Sequence, residues 1–330
     1  MLRLQKFLAQ SGLGSRRYCE KLIKDRKIHS RELVESVIEK IETLNPDLNF
    51  VTTKMYDQAL EAASSKTLSG PFSGVPFLIK DFLAEIKGIR TTNSSYFLGN
   101  YVSDDDSELV KRYKMSGLII VGKTNTPEMA IGVTTEPLRF GATHNPWDLT
   151  RTPGGSSGGS ATAVASRTVA MAHGNDAGGS IRIPAACCGV VGYKPPYGRY
   201  PGGSAVHFDT YAVMGPMTRT VSDAAMMQNI LCGPHPLDNA SIRPKYVLPD
   251  TYENIQGLKI AWSMDLGFFE VDEHVQANTL KTLDVLKDLG AELVEVDFGW
   301  SAEADRALQN YLDHLFNGNI KAIVDTDPDL

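Results

Sequence analysis

The sequence predicts an α/β fold built around a parallel or mixed central sheet, because helical and strand patterns alternate along it. Residues 106–115 have the pattern of a helix, and residues 118–121 form a short apolar run typical of a buried strand. The alternation returns further on, where residues 271–289 have helical periodicity, Gly290 ends that helix, and residues 291–296 alternate as a strand. Such alternation is typical of the α/β class.

The other predicted elements continue this order. A helix starts at Ser30, a suitable N-cap residue, carries an apolar stripe on one face and ends before Pro46. Further helices are predicted at residues 55–64, from residue 126 with a proline at an early position, and at residues 221–231, and further strands at residues 49–52 and 258–262.

The composition is that of a globular protein without a global affinity for nucleic acid. The chain has 330 residues, 42% of them hydrophobic, and a net charge of -6, enough to bury one large core or two smaller ones. Its four cysteines show neither a disulfide framework nor metal-ligand spacing, so a reduced, cytoplasmic setting is expected. Neither a membrane-spanning run nor a secretory signal is expected.

The first residues differ from the rest and predict a separate segment, residues 1–28, ahead of a main domain at residues 29–330. Residues 1–29 contain eight Lys or Arg against two acidic residues. Residues 3–23 resemble the opening helices of the small RNA-binding domain that precedes some bacterial pseudouridine synthases. Arg16 and Arg17 would then meet phosphate. The alternative is an amphipathic helix pair packed on the main domain, with two gene pieces joined near residue 28.

Two serine-glycine clusters and one lysine carry the predicted chemistry. Residues 154–160 read GGSSGGS, residues 178–180 read GGS, and Lys80 follows the apolar run 75–79. A serine hydroxyl needs an adjacent base to become a nucleophile, and a lysine can serve only when burial or a nearby positive charge keeps it neutral. A tetrahedral oxyanion also needs backbone N–H donors, which a glycine-rich turn before the nucleophile supplies. The residues in those positions are Ala177, Gly178, Gly179 and Ser180.

These clusters resemble the amidase signature family, whose members use a Ser-Ser-Lys triad. The resemblance rests on residues 74–81 (GVPFLIKD), 122–125 (GKTN), 145–148 (NPWD), 154–160 (GGSSGGS), 176–184 (DAGGSIRIP), 188–195 (CGVVGYKP) and 215–219 (GPMTR), and it covers about residues 29–330. It implies that Lys80 is the base, Ser156 the bridging serine after a cis peptide bond, and Ser180 the nucleophile. It also implies a mixed sheet covered by helices on both faces, here lacking the C-terminal part.

The resemblance implies an amidase that hydrolyses a carboxamide C–N bond through an acyl-enzyme, without cofactor or metal. Ser157 and Arg182 are assigned to substrate binding, although Arg182 would serve equally to brace the loop. The expected partner is a small-molecule amide; a membrane or RNA is not expected, and a homo-oligomer or amidotransferase partner subunits stay open. Stand-alone amidases such as 6-aminohexanoate-cyclic-dimer hydrolases are favoured. The alternatives are the A subunit of glutamyl-tRNA(Gln) amidotransferase, an inactive fragment and an RNA-binding fusion product.

Two shorter motifs point to other chemistry. Residues 117–124 match the phosphate-binding pattern G-x-x-x-x-G-K-[ST], but their middle is an apolar run where a phosphate loop needs bare backbone N–H groups. Residues 154–158 fit G-x-S-x-G, the nucleophile elbow, which must follow a strand. A polar, proline-punctuated loop precedes them instead. Both motifs are therefore weaker interpretations.

Overall fold

A computed structural model describes residues 29–326, apart from residues 66, 99–100, 203–208, 237 and 250–253. The chain divides between residues 250 and 251 into two compact units. This division falls inside the predicted main domain, residues 29–330, which stays a prediction. The predicted segment at residues 1–28 lies outside the described residues, and its helices stay a prediction.

Helices and strands alternate along the first unit, as predicted. Its first half contains α1 (Ser30–Leu48), β1 (Val51–Lys54), α2 (Tyr56–Ser64), β2 (Pro76–Lys80), α3 (Glu108–Met115) and β3 (Ile119–Thr124). A 3-10 turn (Glu128–Ala130) is followed by α4 (Gly158–Ala165), β4 (Met171–Asp176), α5 (Arg182–Cys188), β5 (Val191–Gly192), β6 (Val213–Thr218) and α6 (Val221–Leu231).

The strands of this unit form one mixed sheet in the order β1-β3-β2-β4-β6-β5. The central strand β2 is parallel to both of its neighbours, whereas β1, β6 and β5 join antiparallel. Parallel strands need helical crossovers, which bring helices onto the faces of the sheet. Lys80 ends β2, so it lies at the edge of the sheet to which the carboxyl ends of the parallel strands point.

Helices cover both faces of the sheet. Successive residues of β2 point to opposite faces, and they pack against different helices. Leu78 packs in a core with apolar residues of α1, α2, α4 and α5. Phe77 and Ile79 pack in a second core with residues of α3 and α6. The predicted fold class, a mixed sheet with helices on both faces, is therefore confirmed.

The predicted end of the first helix is wrong, because α1 continues through Pro46 to Leu48. Asn45 organises this end: its Oδ1 accepts the backbone N–H groups of Phe50 and Val51, both at 2.8 Å. Asn49 then closes the helix in the left-handed conformation, with φ of 49°. The strand consequently starts at Val51 and not at residue 49.

The helix predicted from residue 126 is also wrong. Only the 3-10 turn forms there, and Met129 and Ala130 both have positive φ values, 53° and 59°. The Met129 N–H donates to Asn93 O at 2.8 Å, a tertiary contact that replaces the helical hydrogen bond. This contact between loops therefore overrides the local helix propensity.

The second unit contains β7 (Lys259–Trp262), α7 (Glu273–Asp288), β8 (Glu292–Glu295) and α8 (Ala302–Thr326). The two strands pair in parallel, with α7 as the connection between them. Asp272 caps α7 by accepting the His274 N–H, and Gly290 follows its end with φ of 92°. The predictions for residues 258–296 are confirmed, whereas α8 has no counterpart among them.

Within the described ranges, no helix combines the length and apolar character needed to cross a bilayer.

Gly159 allows α4 to pack closely on the end of β3, and we expect Gly159→Ala to lower the stability of the first unit. An added Cβ would lie 2.6 Å from Asn125 N and 2.8 Å from Phe50 O, both backbone atoms with little freedom to move. Overpacking of this kind costs about 1–3 kcal/mol, which urea unfolding followed by circular dichroism would measure.

Gly318→Ala is the matched control, because Gly318 also lies in a helix. A Cβ there meets no atom of the described residues within 4 Å. Alanine has the higher helix propensity, so this variant should unfold at the same or a higher urea concentration. Equal destabilisation of both variants would contradict the packing argument.

Candidate active site

Lys80 is fully buried at the end of β2 and contacts two polar side chains. Its Nζ donates to Ser156 Oγ at 2.6 Å and to Asn175 Oδ1 at 2.5 Å. The whole of β2 is buried, so the amine is held away from water. Burial lowers the pKa of Lys80 well below its ordinary value, and the charge of Asp176 opposes this effect. The neutral amine, which can accept a proton, is thus favoured.

Ser156 lies in the first serine-glycine cluster, just before α4. The peptide bond between Gly155 and Ser156 is cis. Glycine is required here because a Cβ on Gly155 would lie 2.6 Å from Thr134 O, and one on Gly158 would overlap Thr135 Oγ1. The close approach of the loop carrying Thr134 fixes the position of Ser156.

Ser157 joins the two serine-glycine clusters. It is fully buried, and its N–H donates to Ser180 O at 3.0 Å. Its Oγ donates to Asn175 O at 3.3 Å. Both of its polar groups are therefore engaged in holding neighbouring backbone segments together.

Asp176 organises the turn that carries Ser180, between β4 and α5. Its carboxylate accepts the N–H of Gly179 at 2.7 Å and that of Ile181 at 3.1 Å. The guanidinium of Arg182 donates to both oxygens, at 2.9 and 3.0 Å. Ser180 itself is half-buried. The turn thus presents its serine at an accessible place while a buried carboxylate holds its backbone.

Three backbone N–H groups of this turn stay available to a ligand. Among the described residues, the N–H groups of Ala177, Gly178 and Ser180 have no hydrogen-bond acceptor, whereas that of Gly179 is bonded to Asp176. Of the four N–H groups predicted to bind the oxyanion, one is therefore occupied in this structure.

Among the residues that the structure describes, two of the three predicted triad residues are in contact, whereas the hydroxyl of the third makes no hydrogen bond with them. Lys80 and Ser156 are in direct contact, and the Ser157 N–H links the loop of Ser156 to Ser180. Within the described part of the chain, the Ser180 hydroxyl makes no hydrogen bond. Arg182 is bound to Asp176 and its side chain is 55% exposed, so it lies at the rim.

Sequence reasoning missed Asn175 and Asp176, which contact Lys80 and Arg182. The available signal was a run of polar residues in a strand whose flanks are apolar: residues 173–176 (HGND) are buried throughout. Buried polar side chains are retained where they have partners, so such a run marks a site at the end of a strand.

A fully buried ion pair lies beside the site, and its carboxylate belongs to Asp81, the residue after Lys80. Lys123 Nζ donates to Asp81 Oδ1 at 3.1 Å and to Thr91 Oγ1 at 2.6 Å, and both charged side chains are fully buried. Asp81 also accepts the N–H of Thr92 at 3.1 Å. Because Lys123 belongs to a buried strand and uses its amine within the protein, the phosphate-loop interpretation of residues 117–124 is wrong. Residues 145–153, which precede Gly154, contain no strand. A nucleophile elbow must follow a strand, so the structure also argues against that interpretation.

A histidine base is absent from the contacts of Ser156 and Ser180 in the described structure. His173 is the buried histidine of β4, and burial, with the proximity of Lys80 and Lys123, lowers its pKa to about 3. Its ring packs edge-on to Tyr113, and neither ring nitrogen has a hydrogen-bond partner among the described residues. The described residues also contain no group of three or more His, Cys, Asp or Glu that would hold a metal ion.

Comparisons with known proteins identify the family of the chain. A family model described as Amidase matches residues 32–322, and one described as S4 domain matches residues 2–29. The A subunit of the glutamyl-tRNA(Gln) amidotransferase of Caldanaerobacter subterraneus subsp. tengcongensis is 37% identical over 292 residues, which are 84% of this chain and 58% of that protein. The chain spans about 60% of the length of the curated relatives it matches.

Two solved structures have the same fold. A bacterial aryl acylamidase of the amidase signature enzymes is 34% identical with a TM-score of 0.87, over 93% of this chain and 66% of that one. A 6-aminohexanoate cyclic dimer hydrolase is 35% identical with a TM-score of 0.77, over 86% of this chain and 60% of that one. Both predicted resemblances, including that of residues 1–28 to a small RNA-binding domain, are confirmed. Since the Amidase model matches most of its length, this chain belongs to the amidase signature family.

Proposed function

We propose that this protein hydrolyses a carboxamide C–N bond with Ser180 as nucleophile, Ser156 as bridging serine and Lys80 as base. The observation that carries the proposal is the 2.6 Å contact between the buried Lys80 amine and Ser156 Oγ. A buried lysine without a carboxylate in direct contact is unfavourable for stability alone, so its placement beside a serine fits a proton-transfer role.

The proposed reaction moves one proton along the triad in each step. Neutral Lys80 accepts the Ser156 proton while Ser156 accepts that of Ser180, and Ser180 Oγ attacks the carbonyl carbon. The proton then returns through Ser156 to the leaving amine as the C–N bond breaks, which gives an acyl-enzyme. A water molecule deprotonated by the same route releases the carboxylic acid. The Ser156–Ser180 hydrogen bond is expected to form with substrate bound, since such bonds are often long in free enzymes.

The oxyanion is assigned to the nucleophile's own turn. The free N–H groups of Ala177, Gly178 and Ser180 support this assignment, whereas the Gly179 N–H would have to leave Asp176 to contribute. One such donor is worth about a hundredfold in rate or more. In this proposal Ser157 acts by holding the two clusters together rather than by contacting substrate, which fits its burial. The side chain of Arg182 is 55% exposed, so it is accessible to a substrate carboxylate.

Serine-directed labelling tests the proposal. A fluorophosphonate probe should add one mass equivalent to the intact protein, and peptide mass spectrometry should locate the label on Ser180, because this is the half-exposed hydroxyl of the triad. Ser180→Ala should abolish the label. A label on Ser156 would instead support the nucleophile-elbow interpretation.

The A subunit of a glutamyl-tRNA(Gln) amidotransferase is the second candidate, favoured by the identity of the curated relatives. This candidate requires partner subunits and consumes glutamine. Copurification of such partners, with glutaminase activity coupled to tRNA-bound glutamate, would support it. Hydrolysis of simple aryl or alkyl amides by the isolated chain would favour the stand-alone amidase.

An RNA-binding role is the third candidate, favoured by the S4 match at residues 2–29. RNA binding that weakens with salt and disappears when residues 1–28 are removed, without amide hydrolysis, would support it.

A cytoplasmic setting is part of the proposed amidase function, supported by the free thiols of Cys187, Cys188 and Cys232. Association of the chain with copies of itself is the alternative to association with amidotransferase partner subunits.

A further inference from the structure

A buried negative charge lies close to the Lys80 amine and opposes its role as a base. Asp176 follows Asn175, whose Oδ1 contacts Lys80 Nζ, and the Asp176 side chain is fully buried. The charge of Asp176 raises the pKa of Lys80, against the larger effect of burial. An uncompensated carboxylate in this place would favour the protonated amine, which cannot accept a proton.

Arg182 is bound so that it neutralises this carboxylate. Its Nε and Nη2 donate to the two oxygens of Asp176 at 2.9 and 3.0 Å, the paired geometry in which guanidinium binds carboxylate most strongly. Asp176 cannot be dispensed with, because it also holds the N–H groups of Gly179 and Ile181 in the nucleophile's turn. The site therefore contains a carboxylate that the backbone of the nucleophile's turn requires but whose charge favours the protonated form of Lys80.

The other charged groups near Lys80 do not neutralise the carboxylate of Asp176. Directly after its own strand, Asp81 is paired with Lys123 of β3. On β4, His173 is neutral at ordinary pH, because its pKa is lowered to about 3. Asp176 is thus the acidic group whose charge reaches Lys80, and Arg182 of α5 is its ionic partner.

We propose that Arg182 is a positioning residue whose guanidinium neutralises Asp176, so that Lys80 stays an uncharged base while Asp176 holds the turn of Ser180. The inference rests on the proposed amidase function and assigns Arg182 a role that does not require contact with substrate. If Arg182 has this role, its removal leaves the negative charge of Asp176 uncompensated near Lys80. The pH dependence of the reaction should then change.

The pH dependence of kcat/KM separates this role from the others. A base must be deprotonated, so activity rises with pH through the pKa of Lys80. In Arg182→Gln the uncompensated Asp176 raises that pKa, and the acidic limb of the profile should move up by about one pH unit, with about a tenfold loss on its acid side and a smaller loss on the plateau. Arg182→Lys keeps the charge and should leave the limb near its wild-type position.

Two further variants control for charge and folding. Arg31→Gln removes an exposed arginine that pairs with Glu35 on α1, so it changes the net charge equally and should not move the limb. Asp176→Asn/Arg182→Gln removes both charges and should return the limb towards the wild-type pH. A loss that is equal at all pH values would indicate substrate binding or loop structure alone and would overturn the inference.

A measurement without turnover distinguishes failure of this inference from failure of the proposed function. The Cε chemical shift of ¹³C-labelled Lys80, assigned by its absence from Lys80→Met, reports its titration directly. The titration should move to higher pH in Arg182→Gln even if the protein hydrolyses no amide. An unmoved Lys80 titration in a folded Arg182→Gln protein would refute the inference, whatever the activity.

Discussion

Ser180→Ala is expected to abolish amide hydrolysis, with a loss of kcat of at least about a thousandfold. The hydroxyl forms the covalent bond to the acyl group, and no neighbouring group replaces it: Ser156 is fully buried against Lys80, and Ser157 is fully buried against Asn175. The measurement is steady-state hydrolysis of a chromogenic anilide, together with mass spectrometry of the acyl-enzyme after rapid acid quench.

Ser65→Ala is the matched control, because Ser65 is an exposed serine just after α2. It should keep full activity and full stability. Turnover by Ser180→Ala within about tenfold of the wild type would contradict the assigned nucleophile. If the wild type hydrolyses no amide but is labelled at Ser180 by the fluorophosphonate, the site is competent and its substrate is of another kind.

Lys80→Met is expected to reduce kcat by at least about a thousandfold, because Ser156 would lose its proton acceptor. Methionine fills a similar volume without an ionisable group, so the loss reports the amine itself. Hydrolysis that persists in Lys80→Met with the wild-type pH profile would exclude lysine as the base.

The same variant should change how stability depends on pH. Burial lowers the pKa of Lys80 in the folded state, so the unfolded chain binds a proton that the folded chain releases. Stability therefore rises as pH increases towards the pKa of the unfolded lysine, and this part of the rise should disappear in Lys80→Met. Urea unfolding at several pH values would measure it. Lys111→Met, which removes an exposed lysine bound to Asp105, should keep the rise.

Much of the fold was predictable because local patterns and tertiary packing agree there. The strand at residues 118–121 and the helix at 221–231 are apolar in the way their buried positions require. The predictions failed where a single specific hydrogen bond overrides the local pattern, either between distant loops or at the end of a helix. Met129 bonds to Asn93, and Asn45 binds Phe50 and Val51, and no local pattern in the sequence encodes these contacts.

The sequence by itself determined which residues have the chemistry of the site, because Lys80, Ser156 and Ser180 stand in motifs specific enough to indicate one family. Only the tertiary structure decided the charges around them. The turn after β4 placed Arg182 on the carboxylate of Asp176, and the pairing of β4 with β2 placed that carboxylate on the strand beside the one that carries Lys80. The pKa of a buried lysine depends on its distances to every nearby charge and on its exclusion from water. Those quantities exist only after distant segments of the chain have packed together.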